Sequence, residues 1–135
     1  MENNNLTVLK DILLRHIISV VDKIQLHVSK NGKLNSGAWI NKTNTIMAYL
    51  SYYPNDDFTE NSIDATIELT VINESANFSA NICWSDGKII ADIMNTDFAV
   101  VSLEQLRQEV DSLGQLAANR IVKHFLFQID HGLLE

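Results

Sequence analysis

The stretch Ile63-Asp-Ala-Thr-Ile-Glu-Leu-Thr-Val71 decides the fold, because every odd position is apolar and every even one polar. A period of two marks a strand with one face in a core and the other in water. Phe78-Ser-Ala-Asn-Ile-Cys-Trp84 repeats the alternation, with Phe78, Ala80, Ile82 and Trp84 on one side. It runs into Ser85-Asp86-Gly87-Lys88, and Asp-Gly is a hairpin signal because a type I′ turn requires positive φ at both central residues. With Ser85 opposite Lys88, Trp84 is expected to oppose Ile89, Ile82 to oppose Ala91, and Ala80 to oppose Ile93. A slip of one residue would turn Ile89, Ala91 and Ile93 to water, so turn chemistry and patterning agree. A tight turn at Glu74-Ser75 would likewise set Val71 against Phe78 and Ile67 against Ile82. Residues 63–94 are thus expected to form three antiparallel strands with a shared apolar face and Trp84 in the core.

The opposite face of these strands is polar and acidic. Glu68 is expected beside Asn81, Asn81 beside Asp92, and Thr66 beside Cys83 and Ile90, with Asp64 further along. No basic residue falls on that face of the three strands.

Working outward, Leu6, Leu9, Leu13, Ile17, Val20 and Val21 form the stripe of an amphipathic helix, with Asn5 as N-cap and an end near Val21 or Asp22. Ile24-Gln-Leu-His-Val28 alternates and predicts a short strand, closed by Ser29-Lys-Asn-Gly32. Residues 30–38 predict a loop or a wide hairpin connection. Trp39 to Tyr53 predicts one longer strand, with Ile46, Ala48, Leu50 and Tyr52 on one side and Thr45, Met47, Tyr49, Ser51 and Tyr53 on the other. Pro54, the chain's single proline, closes it and opens an acidic loop carrying Asp56, Asp57 and Glu60.

Ser102 followed by Gln105 is a capping-box pattern, and Leu103, Leu106, Val110, Leu113, Ala117, Ile121 and Phe125 continue a helical stripe behind it. Gly114 inside this helix costs about 1 kcal/mol relative to alanine, which marks a bend or a close helix approach. Ile121, Val122, Phe125, Leu126, Phe127 and Ile129 cover more than one face, so a homodimer contact or a second buried side is expected. The whole predicts one α+β domain over residues 1–135, with a sheet of about five antiparallel strands against an N-terminal and a long C-terminal helix. A chain of this size buries about two thirds of its unfolded surface without staples.

The formal charge of −7 argues against binding nucleic acid directly and favours a basic partner. Cys83 is the lone cysteine, so no internal disulfide forms, and a reducing, cytoplasmic setting is the natural expectation. The start Met-Glu-Asn-Asn-Asn lacks the basic region of a signal peptide, and no apolar run reaches membrane-spanning length, so no membrane association is expected.

Little here points to chemistry. His16, His27, His124 and His131 are scattered and have no ligand spacing, so no metal is expected. Asp64, Glu68 and Asp92 share a face, but paired carboxylates work as acid and base only where burial separates their pKa values, and an open sheet face does not provide that. Cys83 has acidic and apolar neighbours, which disfavour a thiolate. No phosphate loop or nucleophile elbow occurs, and neither a catalytic residue nor a cofactor is expected. Trp39, Tyr49, Tyr52 and Tyr53, near an acidic loop, have the composition of a protein-contact patch.

An acidic α+β domain without a catalytic constellation is best read as a protein-binding module whose charge steers a basic partner. The order helix, strand, loop, long strand, the run Asn81-Ile-Cys-Trp84-Ser-Asp-Gly87-Lys-Ile-Ile-Ala-Asp92, and the helix opened by Ser102-Leu-Glu-Gln-Leu106 resembles the TriTu family of bacterial immunity proteins over most of residues 6–113. The resemblance implies a non-enzymatic inhibitor from a contact-dependent growth-inhibition system. Its cognate toxin domain would be a tRNA-cleaving nuclease that uses elongation factor Tu, which can join a ternary assembly. On that reading Asp56, Asp57, Glu60, Asp64, Glu68 and Asp92 meet the toxin's basic surface. The alternative is a type III secretion chaperone that holds an unfolded effector segment. A third class, a small enzyme of the nuclear-transport-factor-like kind, would need a deep cavity where Phe78, Ile82 and Trp84 are expected to fill the core.

Overall fold

A computed structural model of the chain describes residues 2–28, 32–54 and 62–130. A first helix, α1 (Asn3–Gln25), precedes five strands, β1 (Lys33–Asn41), β2 (Thr45–Tyr53), β3 (Ile63–Ile72), β4 (Ser75–Trp84) and β5 (Ile89–Ala99), and a second helix, α2 (Leu103–Asp130), ends the described chain. The strands form one antiparallel meander in the order β1-β2-β3-β4-β5. Both helices pack on the same side of it, α1 over β1 and β2 and α2 against β3, β4 and β5, and they also contact each other. The fold is the expected α+β arrangement, one helical layer on one sheet.

The core follows directly from the alternation. Ile46, Ala48, Leu50 and Tyr52 of β2, Ile63, Ala65, Ile67, Leu69 and Val71 of β3, and Ala76, Phe78, Ala80 and Ile82 of β4 are all buried. Leu6, Leu9, Leu13, Ile17, Val20 and Ile24 of α1 and Leu106, Val110, Ala117, Ile121 and Phe125 of α2 close over them. Phe78 and the two helices leave the inner side of the sheet filled.

Three element boundaries differ from expectation. Ile24 to Val28 is not a strand: Ile24 continues the buried stripe of α1, which runs to Gln25 and ends in a turn where the His27 N–H donates to the Ile24 carbonyl (2.9 Å). Leu26, at 85% exposure, could not have been an inward strand residue. Residues 33–38 are strand rather than loop, because β1 and β2 form a hairpin within what alternation presents as one long strand. Its turn is built by Asn41, whose Oδ1 accepts the Thr43 N–H (3.0 Å) and hydroxyl (2.9 Å), and by Asn44 at φ 55. Asparagine tolerates that left-handed conformation and so does the work usually given to glycine. The first helix begins at Asn3, so Asn5 is not its N-cap; the Glu2 carbonyl accepts the first bonds, and no side chain caps it.

Register differs as well. Asn73 (φ 56) and Glu74 make the β3-to-β4 turn, so Val71 faces Ala76, Leu69 faces Phe78, and Ile82 faces Ala65. The expected pairs are displaced by two residues, a shift that preserves which face each side chain occupies. At the next turn only Gly87 has positive φ (91), and the Trp84 N–H donates to the Lys88 carbonyl (2.9 Å). That is a three-residue loop with a glycine bulge, not a type I′ turn. Ile82 opposes Ala91 and Asn81 opposes Asp92 as expected, but Ala80 meets Met94 and Cys83 meets Ile89. Ile90 and Ile93 are the extra residues of two β-bulges. Trp84 therefore has no β5 partner and stands 40% exposed at the sheet's end, outside the core expected of it, and Ile89 is 58% exposed.

Two features fasten the second helix. The Ser102 hydroxyl accepts the Gln105 N–H (3.0 Å), while the Gln105 side chain accepts from the Val101 N–H (3.1 Å) and donates to the Ala99 carbonyl (3.0 Å). This is the anticipated capping box, its return arm reaching one residue further back. Gly114 marks a close approach and not a helix break: a Cβ there would lie 2.5 Å from Cδ2 of His16 on α1. Among the described residues, no helix is long and apolar enough to cross a membrane.

Candidate partner-binding face

The side of the sheet away from the helices is an open surface whose side chains are set in rows by register. One row runs Asn35, Ser51, Asp64, Cys83; the next Gly37, Tyr49, Thr66, Asn81, Asp92; the third Trp39, Met47, Glu68, Ser79, Asn95; and the fourth Asn41, Thr45, Thr70, Asn77, Asp97. Each row carries one carboxylate. Lys33 falls on the same side at the start of β1, so across five strands the face is acidic but not wholly free of basic residues.

Many of the polar groups between the carboxylates are bonded to one another. The Thr66 hydroxyl donates to Asn81 Oδ1 (2.9 Å), Thr45 and Thr70 hydroxyls meet at 3.2 Å, and Asn77 Nδ2 donates to Asn95 Oδ1 (2.7 Å) and Asp97 Oδ1 (2.8 Å). The Ser62 hydroxyl donates to Asp64 Oδ1 (2.9 Å). All but the Ser62 bond join neighbouring strands, the kind of pairing that stabilises a sheet.

Of the expected site residues, Asp64, Glu68 and Asp92 do share this face, uncovered by either helix. Asp64 and Glu68 are four residues apart on β3, which is about 13 Å, and Asp92 lies two strands away, about 10 Å from Thr66 between them. That spacing suits a dispersed negative surface and is too wide for two carboxyls to share a proton. Asp56, Asp57 and Glu60 lie outside the described residues. Asp97 belongs to the face and was not anticipated, because β5 continues past Met94.

At one end of the face the hairpin of β1 and β2 places an aromatic pair. Trp39 is 46% exposed, its ring centroid 5.4 Å from that of Tyr49 at an interplanar angle of 56°. Tyr49 lies across Gly37: a Cβ at that glycine would come within 3.0 Å of the phenol ring. Trp39, Tyr49, Ser51, Asp64 and Thr66 line a depression of about 250 Å³. Tyr52, by contrast, is buried on the inner side with its ring over Gly32.

Cys83 is half-buried beside Asp64 in the first row. Burial pushes its thiol above the ordinary range, and the carboxylates of Asp64 and then Asp86 push it further. Among the described residues, no group of three or more His, Cys, Asp or Glu is placed to hold a metal ion. A second depression, about 440 Å³, lies on the helix side between β5 and α2 and is lined by Ile90, Ala91, Lys123, His124, Phe127 and Gln128. Along α2, Ile121 and Phe125 are buried, Val122 and Leu126 half-buried, and Leu116 and Phe127 exposed.

No family model matches this chain, and no curated protein matches it.

Proposed function

We propose that the chain is a non-enzymatic immunity protein that binds and neutralises the toxin domain of a contact-dependent growth-inhibition effector in the cytoplasm. The observation that carries this reading is the uncovered sheet face with a carboxylate in every row and an aromatic pair at its edge. A toxin that cleaves tRNA must present a basic surface to its substrate, and an acidic plate of this kind competes for the same surface. The resemblance to the TriTu family supplies the finer proposal that the toxin works with elongation factor Tu and that all three assemble together. Aromatic anchors would supply most of the binding energy, and the carboxylates the speed and orientation of encounter.

The test is to purify the folded C-terminal domain of the protein encoded immediately upstream and titrate it with this chain. Stoichiometric binding that abolishes tRNA cleavage supports the proposal; cleavage unaffected at excess chain contradicts it. The depression beside α2, apolar at Ile90, Ala91 and Phe127, favours the second reading, a type III secretion chaperone. A chaperone would bind an isolated extended effector peptide, whereas an inhibitor requires the folded domain.

A further inference from the structure

We propose that the depression formed by Trp39, Tyr49, Ser51, Asp64 and Thr66 is a receptor for one arginine side chain presented by a basic partner protein. The inference deepens the partner-binding reading above and rests on it for the source of the arginine.

Size comes first. About 250 Å³ accommodates one long side chain and falls below the range of about 300–1,000 Å³ typical of small-molecule sites.

The polar lining then selects a donor. Asp64 is an acceptor; its Oδ1 takes the Ser62 hydroxyl, which orients the carboxylate and leaves Oδ2 unbonded among the described residues. The Thr66 hydroxyl has its hydrogen committed to Asn81 Oδ1 and presents only lone pairs. A ligand satisfying both must bring hydrogen-bond donors and positive charge, which excludes phosphates and carboxylates.

The walls distinguish arginine from lysine. Two aromatic rings, tilted by 56° to one another, line the depression together with Asp64, and a planar guanidinium can stack on such a ring while its N–H fork reaches a carboxylate. An ammonium is drawn to the same rings and carboxylate, but as a hydrated point charge it lacks the planar stacking and the two-pronged donor fork. The lining residues also sit on paired strands, with Tyr49 seated across Gly37, so little ordering is needed on binding.

The experiment titrates the full chain with acetyl-Gly-Arg-Gly-amide and with its lysine counterpart, following backbone amide NMR shifts. In a Trp84→Phe background Trp39 is the single tryptophan, so fluorescence reports the same site independently. The arginine peptide is expected to give saturable changes at residues 39, 49, 64 and 66, with the lysine peptide weaker by about fivefold and Asp64→Asn weakening the arginine response by about tenfold. Equal responses to the two peptides, an Asp64→Asn response matching wild type, or no saturation overturn the assignment. Arginine-peptide binding without any toxin binding leaves the receptor standing and overturns the immunity reading. Toxin binding unchanged by both Asp64→Asn and Trp39→Ala does the reverse.

Discussion

Gly114 shows how a single missing methyl group positions two helices. His16 of α1 crosses over this glycine to reach Asp111 of α2, Nε2 to Oδ1 at 2.8 Å, so the imidazole occupies the space a Cβ would need. Gly114→Ala gains about 1 kcal/mol in helix propensity but forces a held ring aside, and overpacking of this kind costs about 1–3 kcal/mol. Urea denaturation should therefore show Gly114→Ala less stable than wild type, and His16→Ala should remove most of the penalty in the double variant; additive effects would contradict the contact. Cys83 supports a second prediction. With its thiol held above the ordinary range by burial, Asp64 and Asp86, its alkylation rate should rise at higher pH than that of a free thiol, and Asp86→Asn should move the profile down. The sign for stability follows: the unfolded chain loses the thiol proton in the ordinary range while the folded chain keeps it to higher pH, so this group's contribution is complete below the ordinary range and is lost as pH rises from there through the raised folded value.

The helices and strands differ in how openly their boundaries are written. At α2 a serine and a glutamine three residues apart announce the cap, and Ser102→Ala should lower stability by about 1 kcal/mol, read as a shift in urea midpoint. Trp39 to Tyr53 conceals a hairpin because Asn41-Lys-Thr-Asn44 contains neither glycine nor proline, and asparagine supplies the positive φ. Asn44→Gly should accordingly be tolerated or mildly stabilising, whereas Asn44→Val, β-branched in a left-handed position, should cost about 1–2 kcal/mol. The alternation of Ile24 to Val28 imitates a strand in composition alone: Ile24 belongs to the buried stripe of α1, whereas Gln25, Leu26 and His27 at the helix end are all exposed. The bulges of β5 were invisible for another reason: nothing in Ile89-Ile-Ala-Asp-Ile-Met94 says which residues are the extra ones. Arg120 marks one of the two in space, its Nη1 donating to the carbonyl of the bulged Ile93 (3.2 Å).

For the molecule as a whole, one side of the sheet is consumed by packing and the other carries charge. The period of two made that division legible, and because register errors at the β3-to-β4 turn were even-numbered, Asp64 and Glu68 were placed on the correct face. The aromatic end of the face was legible only as composition, since bringing Trp39 to Tyr49 depends on the concealed hairpin, and Asp97 was hidden by a polar Asn95-Thr-Asp97 run that resembles a loop. A net charge of −7 and carboxylates on all four rows make association with a basic domain a steered encounter, fast at low salt and slowed by screening. The most direct measurement of the proposed function is the association rate of the folded C-terminal domain encoded upstream, the proposed toxin, with wild type and with the Glu68→Lys, Asp92→Lys double variant across a range of ionic strength. Wild type is predicted to bind faster at low salt and to lose that advantage steeply as salt rises, while the double variant binds slowly with a flatter dependence. Superimposable rates for the two proteins at every salt concentration would contradict docking on this face.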